Sequence, residues 1–218
     1  MGQGLFLVGT GAGVGKTTVA TALIKAVSEA GYDAAYYKPV IMGSDSIPES
    51  DAGTVRTACG LEQPLLSLAS HLFKAEGAPY LAAEEMHETI DLELLEADYA
   101  QVALLHDATI VEGLGGIFSL WQRTPQVLQE DLIKRLAIET LVVADARADA
   151  SALVLTLSYL HSRALPVAGV VLNFYDAADA SHHALVDIVR DFGASQVVAT
   201  MAEGGTLEVR APFFLLND

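Results

Sequence analysis

The sequence predicts an α/β fold, a mostly parallel sheet with helices on both faces, and three observations carry that prediction. Apolar runs of strand length alternate with amphipathic stretches of helical period along the chain. The first of those runs enters a glycine-rich loop that closes on Lys16-Thr17-Thr18 and opens a helix. The 218 residues are 52% hydrophobic, enough for one domain with a sizeable core. With no linker rich in Pro, Gly or Ser and no internal repeat, the expectation is a single domain spanning residues 1–218.

Taken in order, the expected strands are Leu5–Val8, Ala34–Tyr37, Ala108–Val111, Thr140–Ala144, Pro166–Leu172 and Val197–Thr200. Each is a short, nearly continuous apolar run, the pattern of a strand buried on both faces. The expected helices are Lys16–Ala30, Asp51–Cys59, Leu92–Leu105, Gln126–Ala137, Ser151–Ser162 and Ser181–Phe192. Ligands on such sheets sit beyond the carboxyl ends of the strands, so the residues that follow each strand are the ones to search.

After the first strand comes Gly9-Thr10-Gly11-Ala12-Gly13-Val14-Gly15-Lys16-Thr17-Thr18. A strand, a glycine loop and a helix N-terminus together aim several backbone N–H groups at one point, an anion site suited to polyphosphate. Gly11 through Thr18 are therefore the expected nucleotide-binding residues, with Lys16 reaching the terminal phosphates and the Thr17 hydroxyl ligating magnesium. The loop is a variant: the strict pattern needs glycine at position 10, where Thr10 stands, and Gly9 lies six residues before Gly15. This makes the expected architecture a P-loop NTPase-like domain.

Charge and cysteine content exclude several partners. A formal charge of −16 offers nothing for a nucleic-acid backbone or an anionic membrane to hold. The single cysteine, Cys59, rules out an intramolecular disulfide, and no Cys/His cluster has zinc spacing. The first residues carry no signal-peptide pattern and no apolar run is long enough to span a bilayer, so the expectation is a cytoplasmic protein.

Three further strand ends carry chemistry. Lys38, at the start of Lys38-Pro39-Val40-Ile41-Met42-Gly43, is either a surface lysine or a cation placed to neutralise charge on a transferring phosphoryl group. Asp51 either caps the helix it begins or faces the phosphate loop as a magnesium ligand, and its spacing leaves both open. Glu112 leaves an apolar strand into Gly113-Leu114-Gly115-Gly116, where a buried carboxylate requires a metal or a cation. The glycines there let the backbone approach a ligand closely.

These motifs, in this order, resemble the dethiobiotin synthetase family. The resemblance rests on the variant loop, Lys38-Pro39-Val40, Ser50-Asp51-Ala52, Glu112-Gly113-x-Gly115-Gly116 and Val171-Leu172-Asn173, and covers the chain from Leu5 to about Asn173. It implies an ATP- and Mg2+-dependent ligase that closes 7,8-diaminopelargonic acid and CO2 into a ureido ring through a carbamate and a carbamic-phosphoric anhydride. By the same resemblance, Lys16 and Lys38 would be catalytic and Thr17, Asp51 and Glu112 would surround the metal. Asn173 would recognise adenine, while Lys38, Met42, Gly115, Arg147 and Ser151 would meet the organic substrate in a homodimer.

The chain departs from the family pattern mainly at substrate positions. Gly11 and Gly13 replace acidic loop residues, Met42 stands where a small hydroxyl residue is usual, and Ala78-Pro79-Tyr80 replaces a Ser-Pro-His step. Arg147-Ala148-Asp149-Ala150-Ser151 replaces a segment close to Gly-Thr-Ile-Asn that contributes to the pocket across the dimer. Met42 loses a hydrogen-bond partner and gains an adaptable apolar side chain. Arg147 offers an anion contact, and Asp149 either faces substrate or caps a helix. Two other readings stay open: a related ligase or kinase for another amine or carboxylate, and a non-catalytic nucleotide-binding regulator. With no lysine at Thr10 or Gly11, the ATPases that switch a dimer through such a lysine fit poorly.

Remaining features read plainly. His182 and His183 are adjacent, which denies them helical metal spacing and predicts solvated side chains. Trp121 and Phe118 are expected to pack in the core or a lid, and Glu84-Glu85-Met86-His87-Glu88 to form a solvated face. Residues 203–218 would, by resemblance, close over the nucleotide base.

Overall fold

The computed structural model describes residues 2–216. The strands are β1 Gln3–Gly9, β2 Ala34–Tyr37, β3 Val40–Met42, β4 His71–Phe73, β5 Ala108–Gly116, β6 Leu120–Gln122, β7 Val127–Leu128, β8 Glu139–Asp145, β9 Val167–Asn173, β10 Val197–Met201 and β11 Leu207–Val209. The helices are α1 Lys16–Glu29, α2 Asp51–Cys59, α3 Pro79–Glu85, α4 Leu92–Leu105, α5 Gln129–Leu136, α6 Ala150–Ser162 and α7 Ala180–Asp191.

Seven strands form one sheet in the order β11-β10-β9-β8-β1-β5-β2, parallel except that β11 runs against β10. The alternation of side chains divides the core in two. Phe6 and Val8 of β1 pack on one face with α4, α5 and α6 residues such as Leu95, Leu132 and Leu157. Leu5 and Leu7 face the other way, onto Val19, Leu23 and Ile24 of α1 and Val55 of α2. β1 lies centrally, with β5 on one side and β8 on the other, so the loop that leaves it opens where the strand order reverses.

All six expected strands and six expected helices are present; β2, α2 and α4 have the expected bounds and the others have shifted ends. β5 does not stop at Val111: it runs through Glu112 to Gly116 because the parallel register with β1 continues to Gly9 opposite Gly116. The helix expected from Gln126 begins at Gln129, since Val127–Leu128 first pairs with β6. The Asp131 carboxylate then accepts the Leu128 N–H at 2.8 Å and fixes that start. α3 and the short strands β3, β4, β6, β7 and β11 had no sequence signal long enough to show a period. β3 pairs with β4 and β6 with β7 as two separate ribbons. Trp121 on β6 is fully buried as expected, whereas Phe118 is 63% exposed and stands edge-on to Tyr159, at 5.6 Å between ring centres.

Candidate active site

The phosphate loop takes its shape from Gly15 and from the helix it opens. Gly15 has φ +87°, in the left-handed region where a side chain is strained, and a Cβ there would lie 2.1 Å from Asn173 Nδ2. Lys16 is buried and folds back over the loop, donating from Nζ to the Gly11 carbonyl at 3.2 Å. Burial lowers its pKa, with Glu112 opposing and Lys38 assisting the shift. Thr17 donates to Glu112 Oε1 at 2.9 Å.

Register explains how Glu112 reaches that position. It stands beside Leu7 of β1, two residues past Ile110, which is itself opposite Tyr36 of β2. Glu112, Tyr36 and Lys38 therefore share one face of the sheet, the side on which α1 packs. The Lys38 ammonium is 2.9 Å from Glu112 Oε1 and also contacts Asp51 Oδ2. Lys38 is 3% exposed and Glu112 2%, which removes the surface-lysine reading. Burial alone would lower the Lys38 pKa, but the paired carboxylates Glu112 and Asp51 raise it above its ordinary value.

Asp51 is not the helix cap that one reading allowed. Ser50 caps α2, its hydroxyl accepting from Ala52 N–H at 3.2 Å and Gly53 N–H at 3.5 Å, so the Asp51 carboxylate is left to face Lys38. The oxygen donors Thr17, Asp51 and Glu112 thus gather at the mouth of the loop. Among the described residues no group of three or more His, Cys, Asp or Glu has metal-binding geometry. Two carboxylates and a hydroxyl are a donor set suited to magnesium, which takes few protein oxygens and completes its shell with phosphate and water. The Lys38 ammonium lies between the two carboxylates and balances their charge.

The glycine turn after Glu112 is held by a residue with no sequence signal of its role. Gln129, fully buried, accepts the Leu114 N–H at 2.6 Å and donates to the Gly116 carbonyl at 3.1 Å. A Cβ on Gly113 would meet its Oε1 at 2.5 Å. Gly115 follows at φ +64°. Met42 is half-buried at the end of β3, the short strand that follows Lys38-Pro39.

Beyond the other half of the sheet lies a cavity of about 630 Å³ whose lining includes Arg147, Phe174, Tyr175, Thr200, Ala202 and Glu203. Asn173 stands between it and the loop: its Nδ2 donates to the Val14 carbonyl at 3.0 Å and its Oδ1 accepts the Phe174 N–H at 2.9 Å. Phe174 has a left-handed φ of +57°, costly for an aromatic residue, and the Arg147 guanidinium sits 3.7 Å from its ring centre. Arg147 also binds both oxygens of Asp145, at 2.9 and 2.8 Å. Within one chain, then, Arg147 and Ser151 are not brought together with Lys38 and Met42; they lie across β1 from them. Asp149 caps α6 through the Ser151 N–H at 2.8 Å.

His182 corrects the expectation of a solvated pair. It is 5% exposed, and its Nδ1 accepts the Asp176 N–H at 2.9 Å because the loop from Tyr175 to Asp179 folds back over the start of α7. His183 is exposed but bonds Ala177 O at 2.7 Å. The run from Glu84 to Glu88 is exposed as expected.

A family model described as an AAA domain matches residues 3–208. The ATP-dependent dethiobiotin synthetase BioD of Brachyspira hyodysenteriae is 30% identical over 94% of this chain and 94% of its own length. The chain belongs to the dethiobiotin synthetase family. Another family member, from Anaeromyxobacter dehalogenans, is 38% identical over 78% of this chain and 76% of its own. Among solved structures, the cell-division protein FtsY of Thermotoga maritima aligns with TM-score 0.55 at 17% identity, over 97% of this chain and 66% of that one. Chloroplast FtsY of Physcomitrella patens aligns with TM-score 0.53 at 14% identity, over 97% and 62%. At such identities the likeness is one of fold, and the fold is that of P-loop NTPases. No helix among the described residues is long and apolar enough to cross a membrane.

Proposed function

We propose that this protein is an ATP- and magnesium-dependent ligase that converts 7,8-diaminopelargonic acid and CO2 to dethiobiotin. One observation carries the reading: Lys16, Thr17, Lys38, Asp51 and Glu112 converge at a phosphate loop from four separate chain segments. The names of the relatives support it. One substrate amine takes up CO2 as a carbamate, and a carbamate oxygen accepts the γ-phosphoryl group of ATP as ADP leaves. The second amine then attacks the carbamate carbon, the ureido ring closes, and phosphate departs with the oxygen it had activated.

Each residue has a task in that sequence. The loop backbone and Lys16 hold the phosphates. Lys38 balances charge on the carbamate and on the phosphoryl group in transfer, where fixed cations act most strongly. Thr17, Asp51 and Glu112 would hold the magnesium ion, which supplies charge neutralisation on the transferred group. The cavity that follows Asn173 along the sheet is the place for the base, with Phe174 and Arg147 in its wall; the buried Asn173 amide fixes the approach of the loop and the Phe174 turn to it. By the family resemblance, Gly115 and Met42 would face the diamine.

A homodimer belongs to the same reading. Ser151, Leu155 and Tyr159 stand at i, i+4 and i+8 on α6, with Phe118 against Tyr159. Leu155 is 69% and Phe118 63% exposed, an apolar stripe that a second copy would cover. Through such an interface Ser151 and its neighbours would reach a partner's substrate.

One observation favours a second reading, a related ligase for a different amine or carboxylate. Arg147 is tied to Asp145 and Phe174, and Met42 offers no hydroxyl, so two expected substrate contacts are altered. The experiment is phosphate release from ATP with magnesium and bicarbonate, with and without the diamine, and mass spectrometry of the product. Diamine-dependent release with a ureido product is the expected result. Nucleotide binding without stimulation by the diamine would reject the family substrate and favour the second reading.

A further inference from the structure

The buried tyrosine at the end of β2 touches the candidate metal carboxylate directly. Tyr36 is fully buried, and its hydroxyl donates to Glu112 Oε2 at 2.8 Å. The two groups that face the nucleotide, Thr17 and Lys38, both bond the other oxygen, Oε1, each at 2.9 Å. Tyr36 is held firmly in turn. Although β2 is the edge strand of the sheet, the buried Gln63 pairs with its main chain there, accepting the Tyr36 N–H at 3.0 Å and donating to the Tyr36 carbonyl at 2.9 Å.

We infer that Tyr36 is a positioning residue for the nucleotide–metal site: by holding Oε2 it fixes the rotation of the Glu112 carboxylate and presents Oε1 to the loop. The inference rests on the proposed metal role of Glu112. The physical ground is that a carboxylate on a free side-chain torsion must be ordered before it can ligate, and a donor to its second oxygen supplies that order in advance. Tyr37 provides the internal comparison. It is equally buried on the same strand but points to the opposite face, where its hydroxyl meets Ser70 Oγ at 2.6 Å and the Leu95 carbonyl at 3.2 Å.

The test is Mn2+ binding in the presence of ADP, followed by electron paramagnetic resonance, on wild type, Tyr36→Phe, Tyr37→Phe and Glu112→Gln. Tyr36→Phe should weaken Mn2+ binding about tenfold, in the range found for residues behind metal ligands. Tyr37→Phe should leave it unchanged even where both variants lose similar melting temperature. Wild-type Mn2+ affinity in Tyr36→Phe alongside a loss in Glu112→Gln would overturn the inference and leave the metal reading standing. Unchanged affinity in Glu112→Gln as well would overturn both. On the wild type, infrared difference spectra with isotopically labelled tyrosine should show a C–O band shift on adding Mg-ADP that ADP alone does not give. Its absence would overturn the inference whether or not the variant folds.

Discussion

Lys38 is bound by two carboxylates at once, and its position sets the residue-scale predictions. Removing the loop cation in Lys16→Ala, or the buried carboxylate in Glu112→Gln, should abolish turnover in the phosphate-release assay; normal rates in either would reject the site. Lys38→Ala should lower kcat by about 10²- to 10³-fold, the scale for loss of one transition-state charge contact. Nucleotide Kd should change far less, because the phosphates remain on the loop backbone and Lys16. An equal loss in Kd and kcat would make Lys38 a binding residue instead. The role of Tyr36 beside these groups had a signal in the sequence. It lies in β2 two residues before Lys38, which directly follows the strand, and a period of two carried one step past the strand end puts both on one face. Gln129 had none, because fifteen residues separate it from the turn it braces.

At the scale of elements, the caps and inter-helix ties govern stability. Ser50 opens α2 and frees Asp51 for the site, so Ser50→Ala should destabilise by about 1 kcal/mol. Its melting temperature should fall by about 2–4 °C, the sensitivity of a chain of this length. A larger fall in nucleotide-dependent Mn2+ affinity than Tyr37→Phe gives would show that the cap also sets Asp51.

Glu130, near the start of α5, ties that helix to α6. It accepts from Lys134 at 2.8 Å, Arg163 at 2.8 Å and Tyr159 at 2.5 Å. Burial would raise its pKa, but the hydrogen bonds from Arg163, Lys134 and Tyr159 win and lower it from 4.5 to about 2. A depressed folded value means stability that is complete above the unfolded value and lost as pH falls through the folded one. Acid unfolding followed by circular dichroism should therefore steepen between 4.5 and about 2 in the wild type. Glu130→Gln should lose about 1.5–3 kcal/mol at neutral pH, as for a hydrogen bond to a charged group, and flatten that part of the acid profile.

For the whole molecule, the exposed stripe on α6 bears on assembly. Sedimentation of the wild type should give twice the chain mass, and Leu155→Asp should shift it to the monomer by placing a charge in the α6 stripe. A wild type that sediments as a monomer at micromolar concentration would reject the dimer. If Ser151 serves the partner's substrate, the same variant should lose diamine-dependent phosphate release more than ATP binding. ATP binding falling in parallel would mean that the loop itself depends on assembly.

Sequence alone determined the sheet's hydrophobic strands, the helices of full amphipathic length and the phosphate loop, because each depends on residues close together in the chain. A run of apolar residues, a period of 3.6 and a glycine spacing are local quantities. The same reasoning grouped Lys16, Thr17, Lys38, Asp51 and Glu112 at the carboxyl edge of the sheet, in strand ends and the loops that follow them, since a parallel sheet gathers its ligands there. Tertiary structure decided what each of those groups touches. It chose Ser50 over Asp51 as the cap, turned Arg147 toward Phe174, buried His182 under a returning loop and brought Tyr36 to Glu112 across 76 residues. Those outcomes depend on strand order and register, which fix side-chain neighbours between segments that the chain itself keeps far apart.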